Sequence, residues 1–347
     1  MFDKNSKIVV IGAGGVGGIT AALMAKAGYS VEVVCKYPEL AETIKTKGLH
    51  IFGLCGHHHV TMPAVAAIHE LEEKKDILLM ATKAYDMPPA AKQVLPFLKD
   101  NSAVVSMQNG ICEDILAEIV GQERTIGCIV GWGATMHQPG ELEMTSSGEF
   151  VIGNLNNQID ERIKFLKTVF ETIHPVEISQ NIMGHLYSKL IINSCITTLG
   201  AICGLYLGEM LAVKKIRGIF IKIMEEAISV ANAHRIKVET YAGKLDYYRF
   251  LKSKTFLGNL KRHLFIRMMG YKYRRLKSSS LQSLERGKQT EIDYLNGYIA
   301  KLAKQKNVPV PVTEGLLMMV KEIEAGKRKI SLDNFNELYS GLILKKR

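Results

Sequence analysis

Gly12, Gly14 and Gly17 stand in the spacing G-x-G-x-x-G, directly after the apolar run Ile8 to Ile11 and directly before the helix-forming run Ile19 to Ala27. Each glycine has its own task in a dinucleotide site. Gly12 permits the tight turn, Gly14 lets a pyrophosphate reach the backbone, and Gly17 lets the helix lie close to the strand. The backbone from Gly12 through Ala13, Gly14, Gly15 and Val16 to Gly17 is therefore the expected cofactor cradle. The free N–H groups of the helix start would face the phosphates.

Three further positions carry chemistry at the ends of expected strands. Lys36 follows Ser30 to Cys35, at the place where an NAD site has an acid for the ribose 2′-hydroxyl. A cation there suits a 2′-phosphate and favours NADPH; the alternative is a solvated lysine opening a helix. Lys83 closes the buried strand Asp76 to Thr82, and Asn109 closes Ala103 to Met107 within Gln108-Asn109-Gly110. Open parallel sheets bind ligands beyond those ends. On the residues alone, Lys83 also reads as a surface lysine and Asn109 as an ordinary turn residue.

In the second half, Lys189, Asn193 and Thr197 are spaced i, i+4, i+8 along the apolar stretch Ile182 to Ala201, so they share one helix face. A lysine in such a stretch is costly unless it is paired or its proton is in use; a helix edge that meets water is the plain alternative. Glu291 precedes a helical run through Ile292, Leu295 and Ile299, where a carboxylate is also favoured by the helix dipole alone.

These residues need elements to position them. The chain has 347 residues, enough for two domains. Strand and helix signals alternate up to about Ser179 and helical periodicity dominates beyond it. The expectation is an α/β protein: a doubly wound Rossmann domain over residues 1–179 and an all-helical domain over 180–347. Ile126 to Gly153 is strand-rich and is expected to extend the sheet, Asp160 to Ile173 is expected as a helix, and Val176 to Ile178 as a last edge strand. The run His57 to His59 alternates sides on an extended chain, so no metal site is expected.

Composition bounds the setting. No apolar run is read as long enough to span a bilayer, and the first strand starts too early to leave room for a signal peptide. Six scattered cysteines without a C-x-x-C pair read as reduced thiols, so a cytoplasmic protein is expected. The net charge of +11 is concentrated: Lys252 to Lys277 holds nine Lys or Arg and no acid. Its plainest reading is a helical extension with a solvated basic face. A lid over the site and adhesion to an anionic membrane are alternatives, and no nucleic-acid motif accompanies the charge.

Taken in order, GAGGVG, T-K-A at Thr82 to Ala84, Q-N-G at Gln108 to Gly110, S-K-L-x-x-N at Ser188 to Asn193 and TEIDYLNG at Thr290 to Gly297 resemble the ketopantoate reductase (2-dehydropantoate 2-reductase) family over nearly the whole chain. The resemblance implies a Rossmann domain, a helical domain and a site in the cleft between them. It implies reduction of the C2 ketone of 2-dehydropantoate to pantoate with NADPH, for pantothenate and coenzyme A. Lys189 matches the family's general acid, Asn193 and Ser279 match substrate-binding residues, and Glu291 matches the glutamate near the nicotinamide ribose and the substrate hydroxyl. Lys83 and Asn109 match cofactor-side residues, and Lys36 the basic residue at the 2′-phosphate. The implied partner is a small 2-oxo acid, without nucleic acid or stable membrane insertion. The family includes dimers, so a homodimer stays open.

The chain departs from the family where substrate is chosen. Thr197 stands where a second asparagine is usual, Leu207 lies where a further one occurs, and S-S-M-L-Q-D reads Ser278 to Ser283 with serine last. Fewer amide donors leave open another or larger 2-oxo acid. A non-catalytic NADP(H)-binding sensor or scaffold is the rival of a different class.

Overall fold

The computed structural model describes residues 2–338. Among the described residues twelve strands form: β1 Ile8–Ile11, β2 Val31–Val34, β3 Leu49–Gly53, β4 His58–Val60, β5 Ala64–Val65, β6 Lys75–Met80, β7 Leu98–Ser106, β8 Thr125–Val130, β9 Gly133–Gln138, β10 Glu141–Ser146, β11 Phe150–Asn154 and β12 Val176–Ile178. The helices among them are α1 Gly15–Lys26, α2 Pro38–Thr46, α3 Met87–Gln93, α4 Glu113–Val120 and α5 Glu161–Phe170. Then follow α6 Ile182–Cys203, α7 Leu207–Ala212, α8 Lys214–Ala233, α9 Tyr247–Lys252, α10 Phe256–Lys272, α11 Ser279–Glu285, α12 Asn296–Gln305 and α13 Pro311–Glu324. The chain divides into two compact units, Met1–Leu186 and one from Tyr187 onward. The division falls inside α6, a few residues beyond the Ser179 suggested by the fading β signal. Residues 339–347 of the expected second domain lie outside the described residues.

In the first unit, eight strands run in the order β12-β11-β8-β7-β6-β1-β2-β5. Every neighbouring pair is parallel except β11 with β8. β1 is buried along its whole length, as a parallel strand covered on both faces must be. The chain leaves β1 toward β2 on one side and later lays β6 on the other, which makes a topological switch point at β1.

The expectation that Ile126 to Gly153 extends the sheet is half corrected. β8 and β11 do so, but β9 and β10 leave it and join the β3–β4 hairpin in a separate sheet of order β4-β3-β10-β9. The cause is packing. Small residues on one side of α1 admit this second sheet: a methyl group on Gly15 would lie 3.0 Å from Ala134 Cβ, and one on Gly18 would lie 2.4 Å from Leu142 Cδ1. Helix α5 forms inside the expected range, capped by the Asp160 carboxylate, which accepts the Ile163 N–H at 3.0 Å. β12 is the edge strand foreseen.

The second unit is helical, built around α6. This helix corrects the bilayer reading, since by length and composition it could cross a membrane, yet 83% of its most apolar window is buried inside the protein. It is the core helix of its unit. The Tyr187 hydroxyl donates to the Ala227 carbonyl on α8 (2.9 Å), the Tyr247 hydroxyl of α9 donates to the Ser188 carbonyl (2.7 Å), and the Thr198 hydroxyl donates to Asn296 Oδ1 at the start of α12 (2.6 Å). These bonds fix the rotation of α6 and decide which stripe stays open.

Candidate active site

The strand register aligns Ile11, Val34, Met80 and Ser106 across the sheet. The residues that follow them emerge along one edge: Gly12, Lys36, Lys83 and Asn109. At the opposite end of the same strands, charge is used structurally. Lys75 is buried against Glu32 at 2.7 Å, and Lys99 pairs with Asp76 at 2.8 Å. The C-terminal edge is thus the one that carries candidate ligand groups.

The glycine turn has the form that a pyrophosphate requires. Gly12 sits at φ +111°, and a methyl group there would come 2.9 Å from the Ala81 carbonyl oxygen. At Gly17 a methyl group would lie 2.0 Å from the Gly12 carbonyl oxygen, so only glycine lets α1 rest on the turn. At Gly14 it would meet nothing within 4 Å. That glycine is not required by packing, and the space in front of it is open. Gly14 caps α1 without a side chain, and the first turn holds no acid. The first amides of α1 therefore have no side-chain acceptor in the cap, and the residues present fit a cofactor phosphate.

Lys36 is 69% exposed and lies 3.5 Å from Asp86, itself well exposed; a pair this open binds weakly and leaves the ammonium accessible. Lys83 is exposed and opens a short 3-10 turn, Ala84–Asp86. Asn109 is exposed and precedes Gly110 at φ +90°. Its position is set by the buried Gln108, whose amide donates to the Met80 carbonyl at 2.8 Å while its carbonyl accepts from Ser106 at 2.9 Å. The local signal for this tie is the glutamine of Q-N-G itself; Glu113, at the start of α4, has no such signal. This carboxyl is fully buried, accepts the Cys112 N–H at 2.9 Å, and is pushed up to about 7. Burial is the main cause, partly offset by hydrogen bonds from its own backbone, Ser106 and Cys112.

In the second unit, the half-buried positions of α6 beyond its first turn are Lys189, Asn193 and Ile196; from Leu190 to Gly200 all the others are buried. Thr197, at 8% exposure, borders this stripe, and its hydroxyl donates to the Asn193 carbonyl at 2.8 Å. Ser278 caps α11 by accepting the Leu281 N–H at 3.2 Å, and its hydroxyl contacts the Thr197 carbonyl at 3.3 Å. Ser279, next to it, is exposed. Lys189, Asn193, Thr197 and the start of α11 therefore belong to one neighbourhood. Glu291 is 8% exposed and does not open a continuous α-helix, as the spacing had suggested. A 3-10 turn, Ile292–Tyr294, follows it, and the chain breaks at Leu295 before α12. Asn296 ties that segment to α6 through Thr198. The three consecutive histidines diverge: His59 stacks on His50 at 4.5 Å, His57 lies beside Phe52, and His58 meets the Cys55 carbonyl. Among the described residues, no group of three His, Cys, Asp or Glu could hold a metal.

A switch-point glycine fingerprint with a lysine-bearing helical unit defines a dinucleotide-dependent oxidoreductase. The chain belongs to the ketopantoate reductase family. The family model "Ketopantoate reductase PanE/ApbA" matches residues 8–157, and its C-terminal counterpart matches 181–324. The 2-dehydropantoate 2-reductase of Pyrococcus abyssi is 29% identical over 321 residues, covering 92% of this chain and 98% of its own. A PanE/ApbA family ketopantoate reductase from Ralstonia eutropha has the same fold, with a TM-score of 0.79, 28% identity, and coverage of 93% of this chain and 100% of that one. A D-mandelate dehydrogenase solved with NADH and anilino(oxo)acetate shares the fold at a TM-score of 0.78 and 22% identity, over 92% of this chain and 99% of that one. The protein is thus an oxidoreductase of the 2-dehydropantoate 2-reductase type, in a family that uses a nicotinamide cofactor.

Proposed function

We propose that this protein reduces the C2 ketone of 2-dehydropantoate to pantoate with NADPH, as a cytoplasmic enzyme of pantothenate and coenzyme A biosynthesis. The observation that carries the reading is the open stripe of α6. On a helix otherwise packed into its unit, the positions left half-buried include Lys189 and Asn193. A lysine in such a helix is costly unless it is paired or its proton is in use, and Lys189 stands on the stripe that stays open. Six free cysteines fit a reducing compartment.

In this reading, the backbone from Gly12 through Ala13, Gly14, Gly15 and Val16 to Gly17 holds the pyrophosphate. Lys36 meets the 2′-phosphate, and Lys83 and Asn109 line the cofactor side. A reduced nicotinamide, when bound, supplies hydride to the ketone carbon. The Lys189 ammonium donates to the ketone oxygen, stabilises the charge that develops there and gives up its proton to form the alcohol. Asn193, one turn further on, orients that oxygen. Ser279 donates to the substrate carboxylate, and Glu291 accepts from a substrate hydroxyl and the nicotinamide ribose.

One observation supports a second substrate. The proton of Thr197 is spent on the Asn193 carbonyl, so this side chain does not replace the amide donors of an asparagine. A substrate with fewer hydrogen-bonding groups than 2-dehydropantoate, such as 2-oxoisovalerate, loses less at such a site. The test is oxidation of NADPH followed at 340 nm with each of the two acids, with NADH as the comparison cofactor. A higher kcat/KM with 2-dehydropantoate and NADPH supports the reading. A preference for 2-oxoisovalerate moves the assignment to a related reductase, and cofactor binding without turnover on any 2-oxo acid supports the sensor or scaffold.

A further inference from the structure

The basic segment begins at the last residue of α9 and folds mainly into α10, which is two-faced in an unusual way. Its inner face is formed by Arg262, Ile266 and Gly270, all buried. It rests on α7, so closely that a methyl group on Gly270 would lie 2.7 Å from Leu211 Cβ. The outer face is apolar as well. Phe256, Leu257, Leu260, Leu264, Met268 and Tyr271 are between 56% and 82% exposed. At the pitch of an α-helix these six fall within an arc of about 120°. A solvated extension would carry polar residues there.

The charge around this arc has one sign. Arg267 lies within it, Lys261 and Lys272 border it, and all three are exposed. Lys252 and Lys254 stand before the N-terminus, and Arg274 and Arg275 after the C-terminus, all exposed. No carboxylate pairs with any of these seven among the described residues, and residues 252–277 contain no acid. A twofold contact between copies through this face would set cation against cation, which is unfavourable. A single helix with a largely apolar crest, one arginine within it and lysines along one border matches a surface that is apolar inside and anionic at the boundary.

We propose that α10 is an interfacial helix that seats this protein on an anionic lipid surface, with Phe256, Leu260, Leu264 and Met268 entering the acyl boundary and Lys261, Arg267 and Lys272 meeting the headgroups. The proposal is independent of the substrate and cofactor assignments. Nothing crosses the bilayer, and the sites on α1 and α6 are not used.

The test is sedimentation of the full chain with vesicles of phosphatidylcholine containing about one-third phosphatidylglycerol, against vesicles of phosphatidylcholine alone. Binding is expected only to the anionic vesicles and is expected to weaken in high salt. The triple variant Lys261→Gln, Arg267→Gln, Lys272→Gln should lose about fivefold in partitioning per cation, roughly a hundredfold in all. The double variant Leu260→Ser, Leu264→Ser, which keeps every cation, should lose at least about tenfold per leucine. Cooperative thermal unfolding like that of the wild type shows that each variant is folded. Failure of the wild type to bind overturns the proposal. So does undiminished binding by the leucine variant, which reduces the effect to general cationic adhesion. A wild-type dimer in light scattering that the leucine variant dissociates assigns the face to a second copy. Binding to a DNA duplex in place of vesicles assigns it to nucleic acid.

Discussion

A single methyl group added at Gly14, and separately at Gly17, should divide cofactor binding from folding. At Gly14 the backbone has φ −72° and ψ −174°, which alanine adopts freely, and the new Cβ meets nothing within 4 Å. Gly14→Ala should leave the fold intact and raise its stability by about 0.4–1 kcal/mol, because the unfolded chain loses freedom. The same methyl group then occupies the space where a pyrophosphate must approach. Displacing the phosphate from one amide forfeits a charge-assisted hydrogen bond of about 1.5–3 kcal/mol, so affinity for NADPH should fall roughly ten- to hundredfold. At Gly17 the methyl group lies 2.0 Å from the Gly12 carbonyl oxygen and 2.7 Å from Ala81 Cβ, neither of which can yield without moving α1. Gly17→Ala should therefore cost about 1–3 kcal/mol or more of stability, as overpacking does, and lower the thermal midpoint by several degrees. Differential scanning fluorimetry and titration calorimetry with NADPH measure the two quantities on the same samples. A Gly14→Ala protein that binds NADPH like the wild type would refute the assignment of this turn as the phosphate cradle.

Lys36→Ala should weaken NADPH by about tenfold, the low end for a charge-assisted bond in so open a place, and leave NADH unchanged; the ratio of the two kcat/KM values reads this directly. Glu113 binds its proton more tightly folded than unfolded. Its contribution to stability is therefore complete below about 4.5 and is lost as the pH rises through about 7. The linked change is on the order of 3 kcal/mol, and Glu113→Gln should remove that slope from the urea midpoint measured between those limits; an identical slope in the variant would contradict it. Thr198→Val deprives the buried Asn296 carbonyl of its donor and should cost about 1–3 kcal/mol, read by urea unfolding.

Most of the candidate cofactor edge was legible in the sequence. The glycine spacing and the apolar strand before it are local signals, and register then places Lys36, Lys83 and Asn109 on the same edge. The stripe of Lys189, Asn193 and Thr197 was legible for the same reason, since helical spacing alone sets a shared face. What the spacing left open is which face of α6 escapes burial. That depends on hydrogen bonds to α8, α9 and α12, made between residues as many as 98 positions apart. The second sheet was hidden because β9 and β10 have ordinary strand composition. Their departure is decided by the small residues of α1, in a distant part of the chain. Glu291 was expected to lead an α-helix because its apolar spacing fits one; the break at Leu295 has no signature in residue types. The buried Glu113 was equally silent, because an acid in the first turn of a helix usually faces water and the dipole.

The role of Lys189 is tested by comparing wild type and Lys189→Ala in NADPH oxidation with saturating 2-dehydropantoate, alongside the NADPH dissociation constant of each. Lys189 as the proton donor predicts a kcat about 10²- to 10⁴-fold lower, with the dissociation constant unchanged. A Lys189→Ala enzyme that turns over like the wild type, or one that simply loses its cofactor, would contradict it.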